Sequence, residues 1–258
     1  MNYEISTIEN CYKTMAEMTG FQYWEDIFKI YAYQYIDEPE LMKNEIMDSK
    51  NIHIKNVELE EINFVLMHVT TSANGCKYIK EEGLHDLVWS YTHNTELRQF
   101  LDEQHITIDI ENQEINVNGT KYVMSDNINQ SGGVGYKFLV DPYICGCFQI
   151  EKSSPYGGGV HQRPEILYNI NKLVKGVDLE YMWYKTHQPY IVKFKVPYNK
   201  MNIILSETTD SKKDRILREL FNKAFYTVFY NDFDSNKMGI LKKGEYVPAN
   251  DIISIEEY

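Results

Sequence analysis

The run Phe64-Val-Leu-Met-His68-Val-Thr70-Thr71 limits what this chain can fold into more than any other stretch. From Asn63 to Val69 it is bulky and apolar over the length of a typical buried strand, and it is too short for a helix of ordinary length. His68 and the two threonines therefore fall at the strand's C-terminal end, where side chains leave the core. The next residues offer Thr71 or Ser72 as a helix N-cap, Cys76 and Ile79 on one inward face, and Gly83, before Leu84, as a left-handed stop. Strand, polar turn, short helix and glycine make a corner suited to building a site. An isolated histidine in such a place is more often a core residue bonded to a backbone carbonyl, so His68 alone assigns no function.

A second informative stretch comes much later, at Arg163-Pro-Glu165-Ile-Leu-Tyr-Asn. Glu165 stands before an alternating pattern that predicts a strand with Ile166, Tyr168 and Ile170 on one face. Upstream, Ser153 to Pro164 is rich in turn residues and carries Tyr156, three glycines from Gly157 to Gly159, His161, Gln162 and Arg163. A carboxylate at a strand's start beside such a loop has access to a cleft. The commoner fate of a glutamate there is a surface ion pair, with Arg163 as its partner.

Residues 1–60 read as helical, because Ile8, Tyr12, Met15 and Met18, then Trp24, Ile27, Phe28, Tyr31 and Tyr35, recur at helix spacing. Pro39 starts a further short segment, Glu40 to Met47. This part is expected to be a cap packed on the remainder, or a lid or partner-binding element. Between His68 and Glu165 the pattern predicts a helix from Thr95 to Gln104, a strand Ile106–Ile110 and a hairpin of Glu114–Val117 with Thr120–Met124. Asn118-Gly119 is the strongest short turn signal, since a two-residue hairpin needs positive φ at both central positions. Further strands are predicted at Tyr143–Ile150, Tyr190–Val196, Met201–Leu205 and Asp251–Ile255. A long helix capped by Asp210 or Ser211 should run to about Tyr230. Strands outside βαβ alternation, with helices early and late, predict an α+β fold with a mixed or antiparallel split β-sheet. The expected division is an N-terminal helical cap over 1–60 and a domain over 61–258.

Composition bounds the function classes. The 26 basic residues against 38 acidic ones give a net charge of −12, which argues against broad electrostatic capture of nucleic acid. A local basic groove remains open, with Lys193, Lys195, Lys200, Lys212, Lys213 and Arg215 in the C-terminal half, although a solvated helix face is the preferred reading of that run. No run approaches the roughly eighteen apolar residues of a membrane span, and the N-terminus lacks a basic-then-apolar signal pattern. The expectation is a cytoplasmic protein without a membrane partner. Cys11, Cys76, Cys145 and Cys147 are expected as free thiols, and Cys145-Gly-Cys147 is too sparse a pattern to predict a metal. No Gly-x-Gly-x-x-Gly opens a helix after a strand, and Gly132-Gly-x-Gly135 and Gly157 to Gly159 read as flexible turns rather than phosphate cradles.

A strand-borne His68-Val-Thr70, then Ile79-Lys-Glu-Glu-Gly83-Leu84, then Arg163-Pro-Glu165 before an apolar run, and more loosely Val247-Pro-Ala-Asn-Asp251 to Ile255, resembles the ADP-ribosyltransferase superfamily. The branch it is most similar to is the diphtheria-toxin-like one that includes poly(ADP-ribose) polymerases and nucleic-acid-modifying toxins. The resemblance implies NAD as co-substrate, with His68, Val69 and Thr70 lining its adenosine-ribose pocket and Glu165 acting at the nicotinamide ribose. It also implies a tyrosine stacked on nicotinamide, for which Tyr143, Tyr136 and Tyr156 are candidates and Tyr143 is preferred. His161 or Arg163 would place or deprotonate the acceptor. Cleaving the N-glycosidic bond of NAD builds positive charge on the ribose carbon, and a carboxylate at the 2′-hydroxyl stabilises it, as in glycoside hydrolysis.

The expected activity is thus NAD-dependent ADP-ribosyl transfer to a nucleic acid or protein, as in a bacterial toxin or defence factor. Two other classes stand beside it. One is a non-catalytic acidic inhibitor or antitoxin engaging a basic partner through a tyrosine-rich surface. The other is an NAD or nucleotide glycohydrolase, with water in place of the acceptor.

Overall fold

A computed structural model describes residues 1–150, 159–202, 212–231 and 238–258. In chain order its elements are β1 (Asn2–Tyr3), α1 (Ile8–Thr19), α2 (Trp24–Tyr31), α3 (Pro39–Ser49), β2 (Asn63–Ser72), α4 (Lys77–Glu82), α5 (Leu87–Thr92) and α6 (Glu96–Glu103). There follow β3 (Ile106–Asp109), β4 (Glu114–Val117), β5 (Thr120–Val123), α7 (Val134–Leu139), β6 (Cys145–Cys147), α8 (Glu165–Asn171) and α9 (Leu179–Tyr184). The chain closes with β7 (Gln188–Pro197), β8 (Met201–Asn202), α10 (Lys212–Tyr230), β9 (Met238–Leu241) and β10 (Ile252–Glu257). The larger sheet has the order β10-β7-β2-β6-β9-β8, with β1 parallel to β2 and β10 antiparallel to β7, and β3-β4-β5 form a separate antiparallel sheet. Helices combined with sheets of this kind make the protein α+β, as the sequence implies.

Two compact units share these elements. The first takes Met1–Leu66, Cys147–Glu151 and Lys195–Gly239, so residues 1–60 belong with a later part of the chain. Its helices meet through aromatic rings: Trp24 lies 5.5 Å from Phe221 and 6.4 Å from Phe225, and Phe28 lies 4.7 Å from Phe225. The helix-spaced stripe read from the sequence is therefore core on one side, with Trp24 and Met15 fully buried. Lys43 is buried as well. Its ammonium donates to Glu40 at 2.8 Å, Asn222 at 2.9 Å and Tyr226 at 3.3 Å, so the desolvated charge is met on several sides.

The second unit comprises Met67–Gly146, Lys152–Phe194 and Ile240–Tyr258. Its core gathers Tyr91, Leu97, Phe100, Ile106, Ile115, Phe138, Leu167 and Trp183. The β4–β5 turn places Asn118 at φ 50° and Gly119 at φ 84°, the positive pair that the hairpin requires. In β3 burial alternates residue by residue, with Ile106 and Ile108 inward. Gly83 ends α4 at φ 98°, in a region open to glycine alone. A Cβ there would overlap the Val247 carbonyl oxygen and stand 3.0 Å from the Ala249 nitrogen, where Leu84 and Val247 exchange backbone hydrogen bonds. Gly83→Ala is therefore expected to lower stability by about 1–3 kcal/mol, read as an earlier denaturant midpoint. A midpoint equal to wild type would show that this junction yields freely.

Several local expectations are corrected. Glu165–Ile170 is not a strand: it lies in helix α8, with Pro164 as N-cap. The strand reading buries Tyr168, whereas that ring is 45% exposed and Ile166, Leu167 and Ile170 are buried, which is a helical pattern. The strand expected over Tyr143–Ile150 is confined to Cys145–Cys147. Residues 131–139, expected to begin as a flexible glycine turn, form a short 3-10 turn and helix α7. Neither Thr71 nor Ser72 caps α4, which starts at Lys77 after Cys76 in a left-handed conformation. The expected cap at Asp210 or Ser211, the residues of the strand beyond Asn202, and Tyr156 lie outside the described residues.

Candidate functional site

His68 and Thr70 project to one face of β2, and Val69 and Thr71 to the other, because side chains alternate along a strand. Thr70 is half-buried, while Val69 and Thr71 are buried. The His68 ring is half-buried, with Nδ1 at 2.8 Å from the carbonyl oxygen of Cys145 on β6. A carbonyl only accepts, so Nδ1 carries the proton, and in the neutral ring Nε2 is an acceptor. Burial pushes the His68 imidazole below the ordinary histidine range, and the Cys145 carbonyl offsets part of that shift. His68 is thus a neutral ring of fixed orientation.

The strand's end is pinned from two sides. Trp183 of α9 donates its indole N–H to the Thr71 hydroxyl at 2.8 Å. On the other side, Ser72 Oγ accepts from the Cys76 amide at 2.8 Å and the Asn74 amide at 3.2 Å. A carboxylate oxygen of Glu96 accepts from the amides of Ala73 and Asn74 at 3.0 and 3.1 Å. Burial pushes the Cys76 thiol up to about 11, and the nearby Glu96 charge acts in the same sense. At neutral pH this sulfur is a protonated thiol rather than a nucleophile.

Glu165 stands in the first turn of α8, about half exposed, with Oε2 at 2.7 Å from the Lys137 ammonium. Lys137 lies on α7 and also holds Asp141 at 2.5 Å. Burial pulls the Lys137 ammonium down, but its bonds to Asp141 and Glu165 outweigh that and leave it above the ordinary lysine range. One cation therefore serves two carboxylates. Arg163, expected as the surface partner of Glu165 or as an acceptor-placing group, is instead buried and pairs with Glu180 at 2.5 Å. It joins the segment before α8 to α9.

The run Asp141-Pro-Tyr143-Ile-Cys145 connects these groups. Its first residue is tied to Lys137 and so to Glu165, and its last offers the carbonyl that fixes His68. Four Cα steps span at most about 15 Å. Tyr143 lies between them, half-buried, and Tyr136 precedes Lys137 on α7, also half-buried. His161 stacks on Tyr258 with ring centres 5.7 Å apart, and its Nδ1 is buried with no hydrogen-bond partner among the described residues.

Sequence reading missed Lys137 and Asp141, although their i,i+4 spacing was a usable signal on a helix. It also missed Trp183, whose role depends on a contact remote in sequence. A cleft of about 570 Å³ in the same unit, lined by Tyr91, Arg98, Asp109, Glu114 and Lys121 among others, contains none of the sequence-predicted site residues. Among the described residues no group of three or more His, Cys, Asp or Glu side chains is arranged to hold a metal ion. All four cysteines are free of disulfide bonds, and no described helix is long and apolar enough to cross a membrane.

His187 lies on Trp183 with ring centres 3.5 Å apart, and burial holds it, like His68, below the ordinary histidine range. The unfolded chain, with histidines near 6.5, then binds protons that the native chain does not. The stability contributed by the two rings is complete above about pH 6.5 and is lost as pH falls toward their native values. The melting temperature is expected to fall between about pH 7 and about pH 5.5, and His187→Gln is expected to reduce that fall. An identical pH profile in the variant would remove His187 from the account. No protein-family model, curated protein or solved structure matches this chain.

Proposed function

We propose that this protein is an NAD-dependent ADP-ribosyltransferase that transfers ADP-ribose from NAD to a nucleic acid or protein acceptor, in the manner of a toxin or defence factor. The observation that carries the reading is the short run from Asp141 to Cys145, which ties the segment holding Glu165 to the one orienting His68. Fully extended, its four Cα steps reach about 15 Å at most. In the proposed site His68 Nε2 accepts a hydrogen bond from the adenosine ribose, and Val69 and Thr70 complete that pocket. Tyr143 stacks on nicotinamide, its ring being flat and apolar on its face; Tyr136 is the alternative. Glu165 accepts from the 2′-hydroxyl of the nicotinamide ribose as the C1′–N bond breaks and neutral nicotinamide leaves with the bonding pair. The acceptor's nucleophilic atom then bonds to C1′ and gives up its proton, for which His161 is the candidate base. Arg163 acts by anchoring the segment rather than by touching the acceptor.

The split-sheet architecture of the superfamily and a cytoplasmic location belong to this same proposal. Glu165 departs from the superfamily pattern in standing on a helix rather than at the start of a strand.

Incubation with NAD, with nicotinamide followed by chromatography and candidate RNA, DNA and proteins by mass spectrometry, tests the reading. An acceptor adduct supports transfer, free ADP-ribose alone reassigns the protein as a glycohydrolase, and intact NAD refutes both. His68→Ala should raise the KM for NAD by about tenfold, the value of one hydrogen bond lost in binding, with kcat little changed. An unaltered KM would take His68 out of the pocket.

A further inference from the structure

In α2 of the first unit the face opposite the core carries Glu25, Asp26, Lys29 and Ile30, and further exposed apolar side chains stand at either end of the helix. Inward, Trp24, Ile27 and Phe28 are buried. Outward, Tyr23 is 65% exposed, Ile30 60% and, in the turn that continues the helix, Tyr33 89%. Residues 23, 26, 30 and 33 fall at helix spacing, so Asp26 completes a single outward stripe. Ile36 in the following turn and Leu41 in α3 are exposed as well, and the Tyr31 and Tyr35 rings stack 6.1 Å apart. Exposed apolar side chains gathered along one short segment mark an interaction surface.

Charge decides what covers it. The only cations between residues 23 and 49 are Lys29 and Lys43, which are already paired with Glu25 and Glu40. Asp26, Asp37, Glu38, Glu45 and Asp48 have no ion-pair or hydrogen-bonding side-chain partner among the described residues, and all are exposed. This anionic rim repels nucleic-acid phosphates and anionic lipid headgroups alike. It also repels a second copy of itself, since a two-fold interface would set the same carboxylates against each other.

We infer that the outer face of α2 and the turn into α3 is a docking surface for a basic, amphipathic segment of another protein. Apolar side chains of the partner cover Ile30, Tyr33 and Ile36, while its lysines or arginines meet Asp26, Asp37 and Glu38. The surface is independent of the NAD site and stands whether or not that reading holds.

The test titrates the full-length protein by calorimetry with three synthetic helical peptides of equal length: lysine–leucine, glutamate–leucine and lysine–serine. The lysine–leucine peptide is expected to bind with micromolar Kd, at least about tenfold tighter than either control. Tyr33→Ser combined with Ile30→Ser, and separately Asp37→Lys combined with Glu38→Lys, should each weaken it by about tenfold or more. These positions are so exposed that the variants should keep the wild-type melting temperature. Equal binding of the glutamate–leucine peptide, undiminished binding by the folded variants, or no binding of the lysine–leucine peptide overturns the inference. So does self-association of the wild type that the Tyr33/Ile30 variant abolishes.

Discussion

Replacing Glu165 with alanine is expected to suppress nicotinamide release from NAD by on the order of a hundredfold or more, with KM for NAD little changed. On the proposed mechanism its carboxylate acts on charge that exists only as the glycosidic bond breaks, so its loss falls on kcat. The fold should survive. The side chain is 51% exposed, and its pair with Lys137 is one of two that the lysine makes. Lys137 is largely buried but keeps Asp141, so losing the more exposed partner is expected to cost on the order of 1 kcal/mol. Glu165→Gln separates charge from shape, because it keeps the volume and hydrogen-bonding reach but not the negative charge, and it should lose nearly as much turnover. A folded Glu165→Ala protein that releases nicotinamide at the wild-type rate ends the assignment of this residue.

Trp183→Ala is expected to cost about 3–5 kcal/mol of stability in a denaturant titration. The indole is 1% exposed, meets Phe100 edge-on at 5.1 Å, stacks on His187 and donates to Thr71. Truncation therefore opens a cavity and removes a hydrogen bond at once. Trp183→Phe keeps most of the packing and loses the Thr71 bond, for which about 1 kcal/mol is expected. Thr71 sits three residues beyond His68 on the same strand, so the Phe variant should also bind NAD more weakly than wild type on the proposed reading. A loss below about 1 kcal/mol for the alanine variant would contradict the packing described for α9.

Much of the fold was legible because its signals are local. The β4–β5 turn follows from Asn118-Gly119, whose positive φ values few other residue pairs accept. The apolar run before His68 is strand β2, and the early aromatic spacing is α1 and α2. Residues 165–170 were misread because Ile166, Tyr168 and Ile170 fit a period of two while Ile166, Leu167 and Ile170 fit a helix. So short a window cannot separate them; the burial of Leu167 and exposure of Tyr168 do.

The site was less legible than the fold. Arg163 and Glu165 looked like partners because they are neighbours in sequence, yet each found a partner elsewhere, in Glu180 and Lys137. Sequence proximity says little about ion pairing once a proline and a helix start redirect the side chains. The bond that orients His68 ends on a backbone oxygen of Cys145, which any residue type supplies equally, so no pattern of letters could reveal it.

The stretch from Asp141 to Cys145 acts as a gauge. Its length is fixed by covalent bonds, with Lys137 gripping one end and the His68 ring the other. A substitution or insertion within it therefore bears at once on the bond that orients His68 and, through Lys137, on the ion pair that holds Glu165.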